Sequence, residues 1–263
     1  MEHLSDNDPD VTFLTETWLT SEKNNVTAEV KEYGYTLLHK VRKNREKERG
    51  GGVGVLLRST ITGKQLPSKE YHSFEHSIVK MPLDSKEPMI MITVYRLQFV
   101  PVAEFILEFE DILEAYAVLN EDFLIAGDVN IHMDTDESSA RKFRELLQSY
   151  DLIQHVTGPT HIMGHTIDVV ISPNKPSYVY DVDIRICDLS HHHLIEFRVN
   201  ATSISIEKKT IIYRAWKEVD TEKFSKELKD SLLSLLETQH MGEKLSGYNR
   251  IDCTQLSTQQ RSK

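Results

Sequence analysis

Apolar and polar residues alternate over much of the first 200 residues, and this pattern predicts many short strands. The strand-like runs lie at residues 10–16, 35–41, 53–58, 77–81, 89–95, 123–127, 166–172, 179–186 and 193–199. Apolar residues recur at helical spacing in residues 105–116 and 143–147, which predicts two amphipathic helices on either side of the 123–127 strand. Mixed strands with few helices indicate an α/β (α+β) domain.

The pattern changes after Asn200. Residues 201–219 are rich in Ser, Thr, Glu and Lys, and we interpret them as a linker. A helix is predicted over residues 220–236, because one face collects apolar side chains, namely Phe224, Leu228, Leu232 and Leu235. From about residue 239 the chain is polar and is predicted to be a loose tail. We therefore expect one domain over residues 1–200 and a helix with a polar tail over 220–263.

Length and composition limit the class of protein. With 263 residues and 39% hydrophobic residues, the chain can bury a sizeable core. No apolar stretch approaches the ~20 residues that a membrane helix needs, and the N-terminus lacks a signal-peptide pattern. The two cysteines, Cys187 and Cys253, provide no disulfide framework, so we expect an intracellular protein, in the nucleus or the cytoplasm.

The net charge of -10 argues against a protein that coats nucleic acid, since non-specific binding depends on Lys and Arg. It does not argue against an enzyme that acts on phosphates. An acidic pocket can bind a cation, and the cation then faces the phosphate.

The first candidate for chemistry is a Gly-Asp-x-Asn motif directly after the 123–127 strand. On a strand, Asp128 and Asn130 would project to the same side. The carboxylate can bind a metal or activate water, and the amide can donate a hydrogen bond to a phosphate oxygen. The alternative is an ordinary turn, because Gly, Asp and Asn are the residues that turns prefer.

Further motifs follow the same order as in a known family. They are Phe-Leu-Thr-Glu-Thr-Trp-Leu at 13–19, Tyr-Arg at 95–96, Gly-His-Thr-Ile-Asp at 164–168 and Leu-Ser-His-His-His at 189–193. With Gly-Asp-x-Asn, this set resembles the endonuclease/exonuclease/phosphatase family, most closely the endonuclease domain of LINE-type non-LTR retrotransposons. The resemblance covers roughly residues 8–200 and implies two mixed β-sheets packed as a sandwich flanked by helices. Tyr-Arg-Ala-Trp at 213–216, followed by Phe224, resembles the segment that leads to the reverse transcriptase in those elements.

The resemblance implies a role for each matching residue. Glu16 would bind the metal, Tyr95 would lie beside the phosphate, and Asp128 would orient the attacking water. Asn130 would bind the phosphate, and Asp168 would orient the catalytic histidine, His192. The implied cofactor is Mg²⁺ (or Mn²⁺), which prefers oxygen ligands, and the implied substrate is DNA.

These residue types suit phosphodiester cleavage. The reaction needs neutralised phosphoryl charge, an in-line nucleophile and help for the leaving oxygen. A carboxylate such as Asp168 can fix the tautomer of His192 and stabilise its imidazolium. Without the resemblance, Asp168 would be interpreted as a turn cap and residues 191–193 as a polar strand entrance.

Two departures from the family pattern affect these expectations. The family signature is Ser-Asp-His, whereas this chain has Ser190, His191 and His192, so an imidazole replaces a carboxylate near the metal. The family also begins with a strand that carries an asparagine, and Met1 lies only a few residues before the strand that ends in Glu16. We therefore expect the first strand and its ligand to be missing.

The three consecutive histidines could also indicate a transition-metal site, because imidazole binds zinc, copper and nickel. Strand alternation would turn His192 away from His191 and His193. We therefore do not expect all three to bind one ion.

The most basic segment, residues 39–49, precedes a glycine-rich stretch at 50–54. It could contact a phosphate backbone. Interspersed glutamates and the glycines favour a solvated hairpin between the strands at 35–41 and 53–58. No Gly-Lys-Ser/Thr follows, so the stretch is not a phosphate-binding loop.

The leading hypothesis is a divalent-metal-dependent phosphodiesterase of retrotransposon origin that nicks DNA. A catalytically inactive remnant or binding module is the alternative that His191 and the missing strand suggest. A phosphatase acting on phosphoinositide or other lipid head groups is a third, because fold does not dictate substrate.

Overall fold

The computed structural model describes residues 8–21, 25–42, 50–83, 87–117, 122–187, 190–201, 210–212, 220–239 and 260–262. Several predicted features lie outside these residues: most of the basic segment, Leu189, the Tyr-Arg-Ala-Trp segment and most of the polar tail. The chain forms two compact units, residues 1–206 and 207–263.

The first unit is built on a six-stranded sheet with the order β4-β5-β6-β7-β9-β8. Its strands are β4 (Lys64–Gln65), β5 (Phe74–Met81), β6 (Met89–Arg96), β7 (Asp122–Asp128), β8 (Leu152–Gln154) and β9 (Asp168–Pro173). The parallel β6–β7 register pairs Tyr95 with Asp128, and the antiparallel β7–β9 register pairs Asp128 with Asp168. These three residues are therefore neighbours across three adjacent strands at one end of the sheet.

A second layer covers one face of this sheet. It contains a three-stranded antiparallel sheet of β1 (Val11–Leu14), β3 (Val53–Arg58) and β2 (Tyr35–Lys40), in that order, and an antiparallel pair of β10 (Val179–Arg185) and β11 (Leu194–Val199). The two parts of the layer contact each other where Phe13 stacks on Phe197, with ring centroids 6.5 Å apart. Apolar side chains from both layers share one core, so the predicted two-layer sandwich is confirmed.

Two helices cover the other face of the six-stranded sheet. They are α2 (Val102–Ala117) and α3 (Ser138–Ser149), and they flank β7 along the chain as predicted. Phe105, Phe109 and Phe143 are fully buried between the helices and the sheet. The helical spacing of apolar residues thus predicted both helices correctly, because each buries a broad apolar face.

A shorter helix, α1 (Asn25–Glu32), was not predicted. It buries only Val30, which packs with Tyr35 and Leu56 on the three-stranded sheet. One buried residue leaves no periodic apolar pattern in the sequence.

The second unit contains α4 (Thr221–Gln239), close to the predicted 220–236, and a strand pair of β12 (Thr210–Ile212) with β13 (Gln260–Ser262). Phe224 and Leu228 on α4 are 41% and 44% exposed. No helix in the described part of the chain has the length and apolar composition needed to cross a membrane.

Candidate active site

Asp128 is the last residue of β7 and is only 2% exposed. Gly127, just before it, has a φ of +145°, and a Cβ at this position would overlap the carbonyl oxygen of Val94 on β6. Glycine therefore lets β7 approach β6 closely where Asp128 enters the site.

A tight turn holds Asn130 against Asp128. The backbone N–H of Asn130 donates to Asp128 Oδ1 at 2.8 Å, and its Nδ2 donates to Asp128 Oδ2 at 2.9 Å. Asn130 has a φ of +48°, a left-handed conformation that Asn tolerates better than most residues. The two side chains thus meet through a turn and not through strand alternation, so Gly-Asp-x-Asn does form a turn, and the turn places the carboxylate beside the amide.

Arg96 stabilises this turn through its guanidinium. The sequence analysis gave Arg96 no role. Its guanidinium donates to the carbonyl oxygens of Asn130 at 3.0 Å and Val100 at 2.8 Å, and the residue is 5% exposed. Burial lowers the pKa of Arg96, while the charge of Asp128 raises it. The only signal for this role was its position next to Tyr95 in a buried strand.

His192 and Asp168 form a hydrogen-bonded pair. His192 Nδ1 lies 2.9 Å from Asp168 Oδ2 and 3.1 Å from Oδ1, while Nε2 faces Asp128 Oδ2 at 3.9 Å. Thr160 contacts Asp168 and the residue after His192: its Oγ1 accepts from the Asp168 N–H at 3.1 Å, and its carbonyl accepts from the His193 N–H at 2.7 Å.

The electrostatics of the site couple these groups. The hydrogen bond to Asp168 raises the pKa of His192 to about 9, helped by the charges of Asp168, Asp128 and Glu16. Burial, together with the negative charge of Asp168, raises the pKa of Asp128 to about 7. The ligand atoms of Asp128, Asp168 and His192 lie within 4.8 Å of one another, close enough to hold a metal ion.

Glu16 joins the site through Tyr95. The Tyr95 hydroxyl donates a hydrogen bond to Glu16 Oε1. Burial and this hydrogen bond raise the pKa of Tyr95 above its ordinary value, so the phenol remains a neutral donor. The structure therefore brings together Glu16, Tyr95 and Asp128, together with Asn130 and the Asp168–His192 pair.

His191 differs from its neighbour. It is exposed, its carbonyl accepts from the Ile162 N–H at 3.0 Å, and it is not part of the metal-binding group found among the described residues. β11 begins only at Leu194, so the expected strand alternation of the histidines is wrong. The rings of His191 and His192 both contact His161, at centroid distances of 6.1 and 5.2 Å.

A cavity of about 350 Å³ opens beside His192 and Asn130. Histidines line much of its wall: His132, His161 and His165. His132 and His165 stack with centroids 3.9 Å apart. The sequence analysis gave these residues no role, because their approach depends on a turn in which the His161 N–H donates to the His165 carbonyl.

The family model described as "Endonuclease/Exonuclease/phosphatase family" matches residues 1–192 of this chain. Among curated protein sequences, no match to the chain is found.

Several solved structures share the fold. The endonuclease domain of TRAS1, a telomere-specific non-LTR retrotransposon, is 11% identical and has a TM-score of 0.59, covering 76% of this chain and 90% of that domain. An endonuclease/exonuclease/phosphatase from Beutenbergia cavernae is 14% identical with a TM-score of 0.54, covering 80% and 67%. TDP2 from Caenorhabditis elegans is 10% identical with a TM-score of 0.50, covering 73% and 64%. At these identities the likeness establishes the fold.

Proposed function

Because this chain belongs to the endonuclease/exonuclease/phosphatase family, we propose that it is a divalent-metal-dependent phosphodiesterase that nicks DNA. The observation that carries the proposal is the convergence of Asp128, Asp168 and His192 within 4.8 Å of one another. Glu16 and Asn130 complete the group through their hydrogen bonds to Tyr95 and Asp128.

The donor atoms fit a hard divalent cation. Carboxylate oxygens of Glu16 would hold Mg²⁺ or Mn²⁺, which favour oxygen ligands. Burial and the charge of Asp168 raise the pKa of Asp128, and the positive charge of His192 offsets part of this rise. A cation held by Glu16 would neutralise the phosphoryl oxygens of the substrate.

His192 acts as a hydrogen-bond donor in this proposal. Asp168 holds Nδ1, which leaves Nε2 directed toward the space beside Asp128. Because the pKa of His192 is raised to about 9, the imidazolium predominates at neutral pH. It can donate to a phosphoryl oxygen and stabilise the charge that develops there.

Asp128 lies across from this donor and accepts the proton of the attacking water. Its pKa of about 7 suits a base that works near neutral pH. Asn130 Nδ2 donates both to Asp128 and to the Arg96 carbonyl, at 2.9 and 3.0 Å. These two bonds occupy the side-chain amide of Asn130. We therefore propose that Asn130 orients Asp128 first and contacts the phosphate only afterwards.

DNA is the proposed substrate for two reasons. The motifs around Glu16 and His192 resemble the retrotransposon branch of the family, and the TRAS1 domain that shares the fold is an endonuclease. Retrotransposon ancestry and Mg²⁺ or Mn²⁺ as the metal are parts of the same proposal.

The test is nicking of supercoiled plasmid by the full chain with Mg²⁺. Asp128→Ala is expected to lower the rate by at least about 10², because it removes a group that acts in the reaction. Asp111→Ala, an exposed change on α2, serves as the control and should nick like the original chain.

Two outcomes would overturn the proposal. Equal nicking by the original chain and Asp128→Ala would assign the activity to other residues. An absence of nicking by the folded original chain would favour the inactive remnant, which the replacement of a family carboxylate by His191 also suggests.

A further inference from the structure

A turn of three glycines packs against the segment that follows Glu16. Residues 50–52, the three-glycine turn, all have positive φ, at +106°, +81° and +88°. The N–H of Thr17 donates to the Gly52 carbonyl at 3.1 Å, and the N–H of Trp18 donates to the Gly51 carbonyl at 2.9 Å. The backbone just after Glu16 is thus fixed by a turn made of the most flexible residue type.

The packing leaves little room for a side chain at Gly51 or Gly52. A Cβ at Gly52 would lie 2.5 Å from Thr17 Oγ1, and a Cβ at Gly51 would overlap the Arg42 guanidinium. The turn is therefore in close contact both with the Glu16 segment and with a charged side chain.

Glu75 on β5 holds the other side of the turn. Its Oε2 accepts from the Gly52 N–H at 2.6 Å, and its Oε1 accepts from Arg42 Nε. The side chains of Arg42 and Glu75 are only 12% and 14% exposed, and charge-assisted bonds at such sites are stronger than neutral ones. The Glu75 carboxylate thus contacts both the turn, at Gly52, and the Arg42 side chain beside it.

A second connection runs from Glu75 to Glu16 across the sheet. Glu75 pairs with Tyr95 in the β5–β6 register, and the Arg42 guanidinium lies 6.0 Å from the centroid of the Tyr95 ring. Tyr95 in turn donates to Glu16. Glu75 is therefore connected to Glu16 in two ways: through the turn that binds the backbone after Glu16, and through Tyr95, which donates a hydrogen bond to Glu16.

Glu16 needs such support because of its own conformation. Its φ is +50°, in the left-handed region that non-glycine residues with a Cβ rarely adopt. Conformations of this kind persist only when surrounding contacts enforce them.

We propose that Glu75 is a positioning residue for Glu16: it fixes Arg42 and the three-glycine turn, so that the Glu16 carboxylate keeps the orientation needed to bind a divalent cation. This inference rests on the proposed function, in which Glu16 is a metal ligand. Residues that orient a ligand typically change metal affinity 10- to 100-fold when mutated. Glu75 should thus affect metal binding without touching the metal.

The test measures Mn²⁺ affinity of the full chain from the electron paramagnetic resonance signal of free Mn²⁺. Glu75→Gln keeps an acceptor for Gly52 but loses the ion pair with Arg42, and it should weaken Mn²⁺ binding about 10-fold. Nicking by this variant should recover as Mn²⁺ approaches saturation. Arg42→Gln should weaken binding similarly, and the double variant should add little, because both changes break one contact.

Glu70→Gln is the matched control. It removes the neighbouring Lys40–Glu70 ion pair, with a separation of 3.1 Å, in which the Glu70 side chain is 51% exposed. Mn²⁺ affinity should not change. Thermal unfolding of each variant verifies that the protein remains folded.

Glu16→Gln separates failure of the inference from failure of the proposed function. If Glu16→Gln weakens Mn²⁺ binding and Glu75→Gln does not, Glu75 has no positioning role and the proposed function stands. If Glu16→Gln itself has no effect, the proposed metal ligand is wrong and the inference fails with it. Should Glu75→Gln not fold, Glu75→Asp replaces it: this variant keeps the charge with a shorter reach, and unchanged affinity in the folded protein overturns the inference.

Discussion

His192 is held by Asp168, with Nδ1 2.9 Å from one carboxylate oxygen and 3.1 Å from the other. The contact fixes the ring so that Nε2 points toward Asp128. It also raises the pKa of His192 to about 9, because a protonated ring is the better partner for a carboxylate. At neutral pH the ring is therefore a donor that Asp168 keeps in one orientation.

We predict that Asp168→Asn lowers the pKa of His192 below about 9, since the hydrogen bond to Asp168 is the largest cause of its elevation. A group that must be protonated loses activity as the pH rises through its pKa, so the alkaline limit of nicking should move to lower pH. The rate at neutral pH should fall by roughly 10² to 10⁴.

Titration of the His192 ring by nuclear magnetic resonance and the pH profile of nicking measure both effects. Asp183→Asn, an exposed change on β10, is the control for the substitution itself. An unchanged His192 pKa in folded Asp168→Asn would contradict the role given to this pair.

His191→Asp tests the departure from the family signature. His191 adjoins His192 in sequence, and its ring contacts His161 at the same edge of the site. A carboxylate there would add negative charge near the metal-binding group, and we expect Mg²⁺-dependent nicking to rise by up to about 10-fold. Plasmid nicking at several Mg²⁺ concentrations measures the gain.

His191→Asn distinguishes added charge from loss of the imidazole. It should give no gain, because it introduces no carboxylate. If folded His191→Asp is no more active than the original chain, or if both variants gain equally, the alignment of the Ser-Asp-His signature with Ser190, His191 and His192 is wrong.

The parts of the fold that the sequence predicted are those with strong periodicity. β3 (Val53–Arg58) was predicted at its observed bounds, and the helices over Phe105 and Phe143 bury wide apolar faces. β4 and β8 were missed, because strands of two and three residues are too short to show alternation.

The same contrast holds for the candidate site. Residues such as Asp128 and His192 belong to motifs that can be recognised along the chain. The contacts of Arg96 and Glu75 depend instead on strand register and on turns with positive φ, which a single sequence does not show. Local pattern predicts which elements form, whereas long-range pairing decides which side chains meet.

Gly127→Ala is predicted to be severely destabilising. The position has a φ of +145°, and the new Cβ would overlap the Val94 carbonyl oxygen, which belongs to a buried strand and cannot move freely. We expect a loss of more than about 3 kcal/mol in the free energy of unfolding, from overpacking and backbone strain together. Urea unfolding followed by circular dichroism measures the loss.

Gly34→Ala provides the matched control. Gly34 also has a positive φ, +85°, but nothing lies within 4 Å of the added Cβ. Only the left-handed conformation is then penalised, by about 1–2 kcal/mol. Equal losses for the two variants would show that the close approach of β7 to β6 contributes nothing at Gly127.

His76 should make the stability of the fold depend on pH. It is 1% exposed on β5, and its Nε2 has no hydrogen-bond partner among the described residues. Burial, together with the charge of Lys40, lowers the pKa of His76 from 6.5 to about 4, while the charge of Glu70 acts in the opposite direction. The folded protein therefore keeps this ring neutral.

Proton uptake by His76 decides whether the free energy of unfolding rises or falls with pH. As the pH falls below 6.5, the unfolded chain binds a proton at His76 and the folded chain does not, until about pH 4. The neutral ring therefore stabilises the folded state fully above pH 6.5. This stabilisation is lost progressively as the pH falls to about 4, and the total loss for this group is about 3 kcal/mol. His76→Leu removes the titrating ring, so its free energy of unfolding should fall less than that of the original chain over this range.

Urea unfolding at several values between pH 7 and pH 4 gives the difference between the two proteins. Ile78→Leu, a buried change on the same strand without a titratable group, should follow the original chain in parallel. If His76→Leu also runs parallel to the original chain, protonation of His76 is not linked to unfolding, and its ring must be able to accept a proton inside the folded protein.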